Sequence, residues 1–307
     1  EDYMKYFEEF NPVDFEPRKW AKAAKEAGMK YMVLTAKHHD GFLPLRQPVS
    51  DFKSTNTKCG RDLVAEYVDA VRAEGLKVGL YFSLLDWFHD DFPHYGDRNH
   101  PMRNNPAYKN DDRDFDRYLT YMHNQVREIC TNYGKLDVLW FDFSYDTLRG
   151  EAWKATELIN MVRKLQPDVI IDNRLEVSGE GYGSLAAGNP TPYHGDFVSP
   201  EQMIPPNGIQ DVNGNDIAWE SCVTMNNHWG YCANDHFFKP APMLIKKLGR
   251  MRIEGWKPAF ECRPGRQGNI PEESIERLAE IGKWMRKTER AFTAAEKPVL
   301  RNRTLAV

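Results

Sequence analysis

The chain alternates amphipathic helical segments with short apolar runs, and this alternation limits the fold more than any other feature of the sequence. Four helix-then-strand units follow one another with short connections. This order predicts a parallel sheet, because parallel neighbours need a crossover connection of the length that a helix provides. We predict helices over residues 17–29, 62–74, 112–133 and 151–166, and strands over residues 30–36, 77–84, 137–142 and 168–172.

Polar side chains gather where the predicted strands end. They are Lys37, His38, His39, Asp40, Tyr81, Asp142, Asn173 and Arg174. Functional groups that several strand ends donate to one common face are typical of (β/α) barrel enzymes. A doubly wound sheet has the same rhythm of elements, but no glycine-rich phosphate loop follows any of the strands. We therefore predict an α/β protein with a TIM-like (β/α) barrel.

Composition and charge argue against several classes of partner. The net charge is −4 and no block of like charges occurs, so nucleic acid and anionic membranes are not expected to bind. No apolar run reaches the roughly 18 to 20 residues that span a bilayer. The five cysteines are scattered without a CxxC pair, which argues against a disulfide scaffold and a structural zinc site. We expect no cofactor, and the sequence does not indicate the oligomeric state.

The start of the chain carries no targeting signal. It opens at Glu1 with neither an initiator methionine nor a signal peptide, so we expect its natural start to be missing. The cytoplasm is slightly favoured over the extracellular space.

His38 and His39 directly follow the first predicted strand. Adjacent side chains on an extended chain point to opposite sides, so at most one enters a shared pocket unless the strand bends there. With Asp40 they supply metal-ligand types, but no HxH or HExxH spacing supports a metal site. Recognition of substrate hydroxyl groups is the favoured role, and a structural role for both histidines is the alternative.

Asp142 is the strongest single candidate for a catalytic residue. It ends an apolar strand between Phe141 and Phe143, with Trp140 close by. An ionised carboxylate is costly to desolvate there without a partner or a task. One interpretation is a structural salt bridge to Arg174 at the next strand end. The other uses the same pair, with Arg174 keeping the carboxylate ionised as an attacking nucleophile requires.

Cleavage of a glycosidic bond with retention needs a second carboxyl group roughly 5 to 5.5 Å from the nucleophile. Two glutamates later in the chain are placed for this role. Glu201 lies in a proline-rich loop that could fold over a pocket. Glu220 stands beside Trp219, where an apolar wall could raise its pKa. Spacing alone does not choose between them.

Four motifs in this order resemble the α-L-fucosidases of glycoside hydrolase family 29. They are TAKHHDGF at residues 35–42, GLYFS at 79–83 with DW at 86–87, LDVLWFD at 136–142, and WESC at 219–222 with WGY at 229–231. Each motif alone is modest support, but their order and spacing over about 250 residues make the resemblance specific.

The resemblance implies a (β/α) barrel followed by a small β-sandwich, and metal-free hydrolysis of terminal α-L-fucose with retention. Asp142 matches the family's nucleophile. His38, His39 and Tyr81 match positions that bind the fucose ring, Trp140 and Arg174 match neighbours of the nucleophile, and Trp229 is counted with the substrate-binding residues. The distance along the chain from Asp142 to Glu201 fits the bacterial members of the family best, so the resemblance implies Glu201 as the acid/base. Glu220 is then a pocket residue or a substitute. The partner would be a fucosylated oligosaccharide or glycoconjugate.

The chain departs from the family pattern at both ends. We expect residues 1–287 to form a barrel domain without its first strand, and residues 288–307 to be an aberrant or disordered tail in place of the start of the sandwich. Residues 255–266, where the last barrel strand is expected, have no strand pattern. We hypothesise compensated frameshifts or a decayed gene, and a barrel disturbed at its last strand.

Two other functions remain open at this point. One is a catalytically impaired fucose-binding fragment or pseudogene product that keeps His38, His39 and Tyr81. The other is a different exo-glycosidase on the same barrel, such as a galactosidase, because one methyl group distinguishes sugars by only about 1 to 3 kcal/mol.

Overall fold

The computed structural model describes residues 2–109, 112–179, 181–253, 257–262 and 264–295. Eight α-helices lie within these ranges: α1 Asp2–Glu9, α2 Pro17–Glu26, α3 Leu63–Ala73, α4 Phe115–Asn132, α5 Ala155–Leu165, α6 Gly183–Ala186, α7 Ala241–Ile253 and α8 Glu272–Ala295. Six strands lie there as well: β1 Tyr31–Lys37, β2 Lys77–Ser83, β3 Val138–Asp142, β4 Ile170–Ile171, β5 Glu220–Thr224 and β6 Lys257–Glu261.

The four predicted helix-strand units are confirmed, with differences of a few residues at their ends. Helix α4 begins later than predicted because the Asp114 side chain accepts a hydrogen bond from the Arg117 backbone N–H and caps the helix. Asp62 caps α3 in the same way. Gly134, just past α4, has φ of +68°, a conformation that glycine adopts without steric cost.

The strands form a parallel array. Strands β1 to β4 are hydrogen-bonded in sequence order, and β5 pairs with β6. Three isolated parallel bridges, Asp172 to Phe197, Val198 to Trp219 and Glu201 to Cys222, connect the two sheets through residues 197–201. The α/β class is therefore confirmed. Within the described ranges β1 and β6 do not pair with each other, so the sheet is not a closed barrel there.

Residues 255–266 have no strand pattern in the sequence, but the structure has a strand within them. Strand β6 pairs in parallel with β5 from Glu220 opposite Lys257 to Thr224 opposite Glu261. Strand pairing uses backbone groups that every residue except proline can both donate and accept, so a weak side-chain pattern does not prevent it. Within the described ranges β6 pairs with β5 alone, so Pro258 interrupts no ladder on the other side of β6 there.

The predicted domain boundary after Lys287 falls within α8, which continues to Ala295. Residues 296–307 lie outside the described residues, so the division of the chain stays a prediction. We find no helix in the described ranges with the length and apolar character needed to cross a lipid bilayer.

The sheet has a different core on each face. Alternate strand residues such as Leu80, Leu139 and Phe141 pack in the large cluster shared with the helices. Their neighbours in sequence point the other way, where Val138 and Trp140 join a smaller cluster. That inner cluster also contains Tyr31, Tyr81, Phe197, Ala218 and Cys222. Asp142 follows Trp140 by two residues, so the same alternation carries its carboxylate to this inner face.

Candidate active site

Asp142 ends β3 with its carboxylate held by three donors. Arg174 Nη1 donates to Oδ1 at 2.9 Å, and the Tyr81 hydroxyl donates to Oδ2 at 2.8 Å. The backbone N–H of Phe143 also donates to Oδ1, at 2.8 Å. Phe143 has φ of +75°, an uncommon conformation for a large side chain, and it persists because the Ser178 hydroxyl also accepts from this N–H. Asp142 as a whole residue is 8% exposed, and these three donors fix the direction of its carboxylate.

Arg174 connects the two candidate catalytic carboxylates. Its Nη2 donates to Glu201 Oε1 at 2.7 Å while Nη1 holds Asp142. Two further bonds go to Ser199, from Nε to Oγ at 2.9 Å and from Nη2 to the backbone oxygen at 2.8 Å. Burial by itself lowers the pKa of Arg174, but the carboxylates of Asp142 and Glu201 outweigh burial and raise it, so the guanidinium stays charged.

Glu201 differs from Asp142 mainly in its access to solvent. Its side chain is 37% exposed, whereas that of Asp142 is 12% exposed. The segment before Glu201 is anchored to the sheet, because Asn173 accepts hydrogen bonds from both the backbone and the hydroxyl of Ser199. The structure therefore brings the predicted pair together on one guanidinium, one carboxylate enclosed and the other partly open.

His38 and His39 lie on the same side of the site, contrary to the expectation for an extended chain. Their rings are 4.0 Å apart, and both contact Phe143 edge-on, at 5.7 and 5.1 Å. The reason is that β1 becomes irregular between Thr35 and Lys37 and then ends. His38 also stacks on Tyr81, with ring centres 5.6 Å apart.

Both histidines are uncharged at neutral pH. Burial lowers the pKa of His38, and burial together with the neighbouring His38 lowers the pKa of His39 to about 3. His39 Nδ1 is buried and has no hydrogen-bond partner among the residues that the structure describes. A neutral imidazole offers one donor and one acceptor, which suits a sugar hydroxyl group. Within the described ranges, no group of three or more His, Cys, Asp or Glu side chains is arranged to hold a metal ion.

Glu220 and Trp140 form a pair beneath Arg174. The Trp140 ring lies 4.7 Å from the Arg174 guanidinium carbon, and its Nε1 donates to Glu220 Oε1 at 3.1 Å. The Tyr31 hydroxyl hydrogen-bonds the other Glu220 oxygen. Burial raises the pKa of Glu220 to about 8. Glu220 thus contacts the N–H edge of the Trp140 indole, whereas Glu201 contacts Arg174 itself.

Trp229 is not joined to this arrangement. It is 44% exposed on the loop after β5, and no hydrogen bond or ring contact within the described ranges connects it to Asp142 or Arg174.

Sequence reasoning missed several residues that build the site: Tyr31, Trp87, Ser178, Ser199 and Asp172. Asp172 is fully buried, and its Oδ1 accepts the backbone N–H of Phe141 at 2.9 Å. Asp172 directly follows β4, and its position at the end of a predicted strand was the signal that could have identified it. Trp87 packs 4.0 Å from His39, inside a motif already noted. Tyr31 and Ser199 gave no local signal, because their partners are distant in sequence.

A parallel α/β sheet with an enclosed carboxylate and a partly open one at its strand ends has the components of a glycoside hydrolase that works through two carboxyl groups. The sequence model of the α-L-fucosidases matches residues 1–290. The chain belongs to the α-L-fucosidase family.

Solved structures and curated relatives agree with this family. α-L-Fucosidase isoenzyme 1 from Paenibacillus thiaminolyticus has a TM-score of 0.90 and 52% identity, covering 95% of this chain and 68% of that one. The Lactobacillus casei enzyme in complex with α-L-fucose has a TM-score of 0.79 and 27% identity, covering 94% and 85%. The α-L-fucosidase of Dictyostelium discoideum is 27% identical over 295 residues, covering 92% of this chain and 57% of its own length. The chain therefore spans little more than half of that relative.

Proposed function

We propose that the chain is a retaining α-L-fucosidase, with Asp142 as nucleophile and Glu201 as acid/base. The observation that carries the proposal is the shared Arg174 guanidinium, which binds one oxygen of each carboxylate. A double displacement needs two carboxyl groups close together on opposite sides of the scissile bond, with different tasks. One planar guanidinium that binds both keeps them close and in a fixed relative orientation.

In the first step Asp142 attacks the anomeric carbon of fucose and the bond from that carbon to the leaving oxygen breaks, while Glu201, in its protonated form, gives the leaving oxygen a proton. Asp142 is suited to attack because Arg174, Tyr81 and the Phe143 N–H hold it in one orientation. In the second step Glu201 removes a proton from water, which displaces Asp142 from the sugar with a second inversion. The partial exposure of Glu201 supports this exchange with solvent.

The sugar ring would lie against His38, His39 and Tyr81. Neutral imidazoles and a phenol hydroxyl supply donors and acceptors for ring hydroxyl groups, and the Phe143 face supplies an apolar wall for the fucose methyl. We propose a terminal α-L-fucose on an oligosaccharide or glycoconjugate as substrate. The Lactobacillus casei enzyme has been solved with α-L-fucose and, as a variant, with Fucα(1,6)GlcNAc.

The finer description of the fold belongs to the same proposal. We infer that the parallel array from β1 to β6 is the sheet of a TIM-like (β/α) barrel. The sequence order of the strands, the bridges through residues 197–201 and the TM-score of 0.90 to a family member support this inference. Trp229 stays a proposed substrate-binding residue, and it would contact the part of an oligosaccharide that lies beyond the fucose ring.

The test compares the unaltered chain with Asp142→Gly on an aryl α-L-fucoside. We expect the unaltered chain to be active and to release fucose with retained configuration, which NMR measures. In Asp142→Gly we expect azide to replace the missing carboxylate and to form β-L-fucosyl azide. Asp168→Gly is the control, because Asp168 is exposed and lies in a surface ion pair with Lys135. Hydrolysis of an aryl galactoside but not of the fucoside would contradict the substrate. Equal activity in Asp142→Gly would contradict the nucleophile.

A further inference from the structure

Glu220 is a carboxyl group enclosed by apolar side chains and aromatic rings. It lies at the start of β5 and is 8% exposed. Its sequence neighbours at the inner face, Ala218 and Cys222, belong to the cluster around Val138, Trp140 and Phe197. A carboxylate in such surroundings is retained only when its hydrogen bonds are satisfied and it has a task there.

Both oxygens of Glu220 are used. Oε1 accepts a hydrogen bond from Trp140 Nε1 at 3.1 Å, and Oε2 accepts one from the hydroxyl of Tyr31. Tyr31 lies on β1, which is separated by β2 from the strand that carries Trp140. Trp140 in turn contacts Arg174, which binds both candidate catalytic carboxylates. The Trp140 ring carries the Arg174 guanidinium 4.7 Å from its centre. Tyr31, Glu220, Trp140 and Arg174 therefore form one continuous series of contacts.

We propose that Glu220 is a positioning residue that holds the Trp140 indole against the Arg174 guanidinium. The inference rests on the proposed function, in which Arg174 holds Asp142 and Glu201 in their relative orientation. It assigns Glu220 neither to the sugar nor to proton transfer. A cation on an indole face is sensitive to the tilt and position of the ring, so a shift of Trp140 moves the guanidinium that both carboxylates share.

Ionisation of Glu220 would disturb this arrangement. An ionised carboxylate accepts more strongly from Trp140 Nε1 than a neutral carboxyl group does, and this would shift the indole that lies against Arg174. The surrounding elements carry several described titratable groups: Tyr31 on β1, Tyr81 on β2, Asp142 on β3, Asp172 and Arg174 after β4, Glu201, Cys222 on β5 and Glu261 on β6. In the strand register, Glu220 lies opposite Lys257 of β6. Burial is the cause that raises the pKa of Glu220 to about 8, so the change falls in an accessible range.

The first measurement is the pH dependence of kcat/KM on an aryl fucoside with a strongly activated leaving group. Such a leaving group needs no proton, so a decline at alkaline pH does not report the acid/base. We expect the unaltered chain to lose activity with a midpoint near pH 8. Glu220→Gln keeps a neutral donor and acceptor in the same shape. It should lose this decline while its kcat/KM at about pH 6 falls by less than about ten-fold.

Three variants separate positioning from proton transfer. Glu220→Ala removes the support of Trp140 and should be slow on activated and unactivated substrates alike, without rescue by azide. Glu201→Ala should be slow mainly on unactivated substrates and rescued by azide, since an acid/base contributes about 100-fold or more. Tyr31→Phe removes one partner of the carboxyl group and should move the midpoint of the alkaline decline. Azide rescue of Glu220→Ala, or an unchanged alkaline decline in Glu220→Gln, would overturn the proposal.

A second readout does not depend on activity. Near-ultraviolet circular dichroism and tryptophan fluorescence should titrate near pH 8 in the unaltered chain, and this titration should disappear in Glu220→Gln and in Trp140→Phe. If the titration occurs but no fucoside is cleaved, the proposed function fails while the contact between Glu220 and Trp140 stands. If the unaltered chain shows no such titration, the positioning inference fails whatever the activity is.

Discussion

Replacing Arg174 tests whether one guanidinium neutralises and aligns two carboxylates. Arg174→Met keeps the length of the side chain but removes its charge and its four hydrogen bonds to Asp142, Glu201 and Ser199. Removing one partner of a buried ion pair costs about 3 to 5 kcal/mol, because the other charge stays buried. Asp142 keeps Tyr81 and the Phe143 N–H as donors, so we expect the loss of its pair with Arg174 to cost about 3 kcal/mol, the lower limit of this range.

Loss of the pair between Arg174 and Glu201 adds little to the cost in stability. Its side chain is 37% exposed, so water replaces much of what Arg174 supplies, and an exposed pair is worth only about 0 to 1 kcal/mol. We therefore expect Arg174→Met to lower the free energy of unfolding by about 3 to 4 kcal/mol. Its kcat/KM should fall by about 100-fold or more, because an electrostatic support of the reacting groups is lost.

Urea unfolding followed by tryptophan fluorescence measures the first quantity. Arg163→Met is the matched control, since Arg163 forms a two-pronged pair with Asp196 in which both side chains are about one third exposed, and it should lose about 1 kcal/mol. Adding Asp142→Asn to Arg174→Met should restore part of the lost stability, because the uncompensated charge disappears. A loss in Arg174→Met no larger than that of the control would refute the reasoning.

Three further perturbations follow from the site and its surroundings. Tyr81→Phe removes both the donor to Asp142 Oδ2 and a hydroxyl group proposed to contact the sugar, so it should lower kcat by about ten-fold and raise KM, as steady-state kinetics on an aryl fucoside would measure. Gly79→Ala places a methyl group 2.7 Å from Val33 Cγ2 and should destabilise by about 1 to 3 kcal/mol in thermal unfolding, whereas Gly230→Ala, with open space around it, should not. Burial raises the pKa of Glu220 from 4.5 to about 8, so the stability from this group is complete below pH 4.5 and declines as pH rises to about 8. The free energy of unfolding in urea should therefore decline less over this pH range in Glu220→Gln than in the unaltered chain. An equal decline would contradict the assignment.

The elements of the fold could be predicted where their causes are local. Helices α2 to α5 and strands β1 to β4 follow from apolar periodicity together with proline, aspartate and glycine at the ends. Strand β6 could not be predicted in this way. It exists because the backbone of β5 is alongside it, and residues 257–261 carry no alternating pattern of their own.

The same division holds for the candidate site. Asp142 and Arg174 were predictable as a pair, since successive parallel strands place their C-terminal ends side by side. The two histidines were predicted to point to opposite sides unless the strand bends there, and they converge because β1 becomes irregular and ends just before them. Their convergence depends on a local irregularity that side-chain types do not encode.

The sequence by itself determined the parallel α/β class, the family motifs and which residue types stand at the strand ends, because these depend on near neighbours along the chain. Only the tertiary structure decided which groups the two glutamates contact. Glu201 meets Arg174 across 27 residues, and Glu220 meets Tyr31 across 189. Contacts over such separations follow from the register and side-by-side order of the strands, which the packing of the whole chain sets.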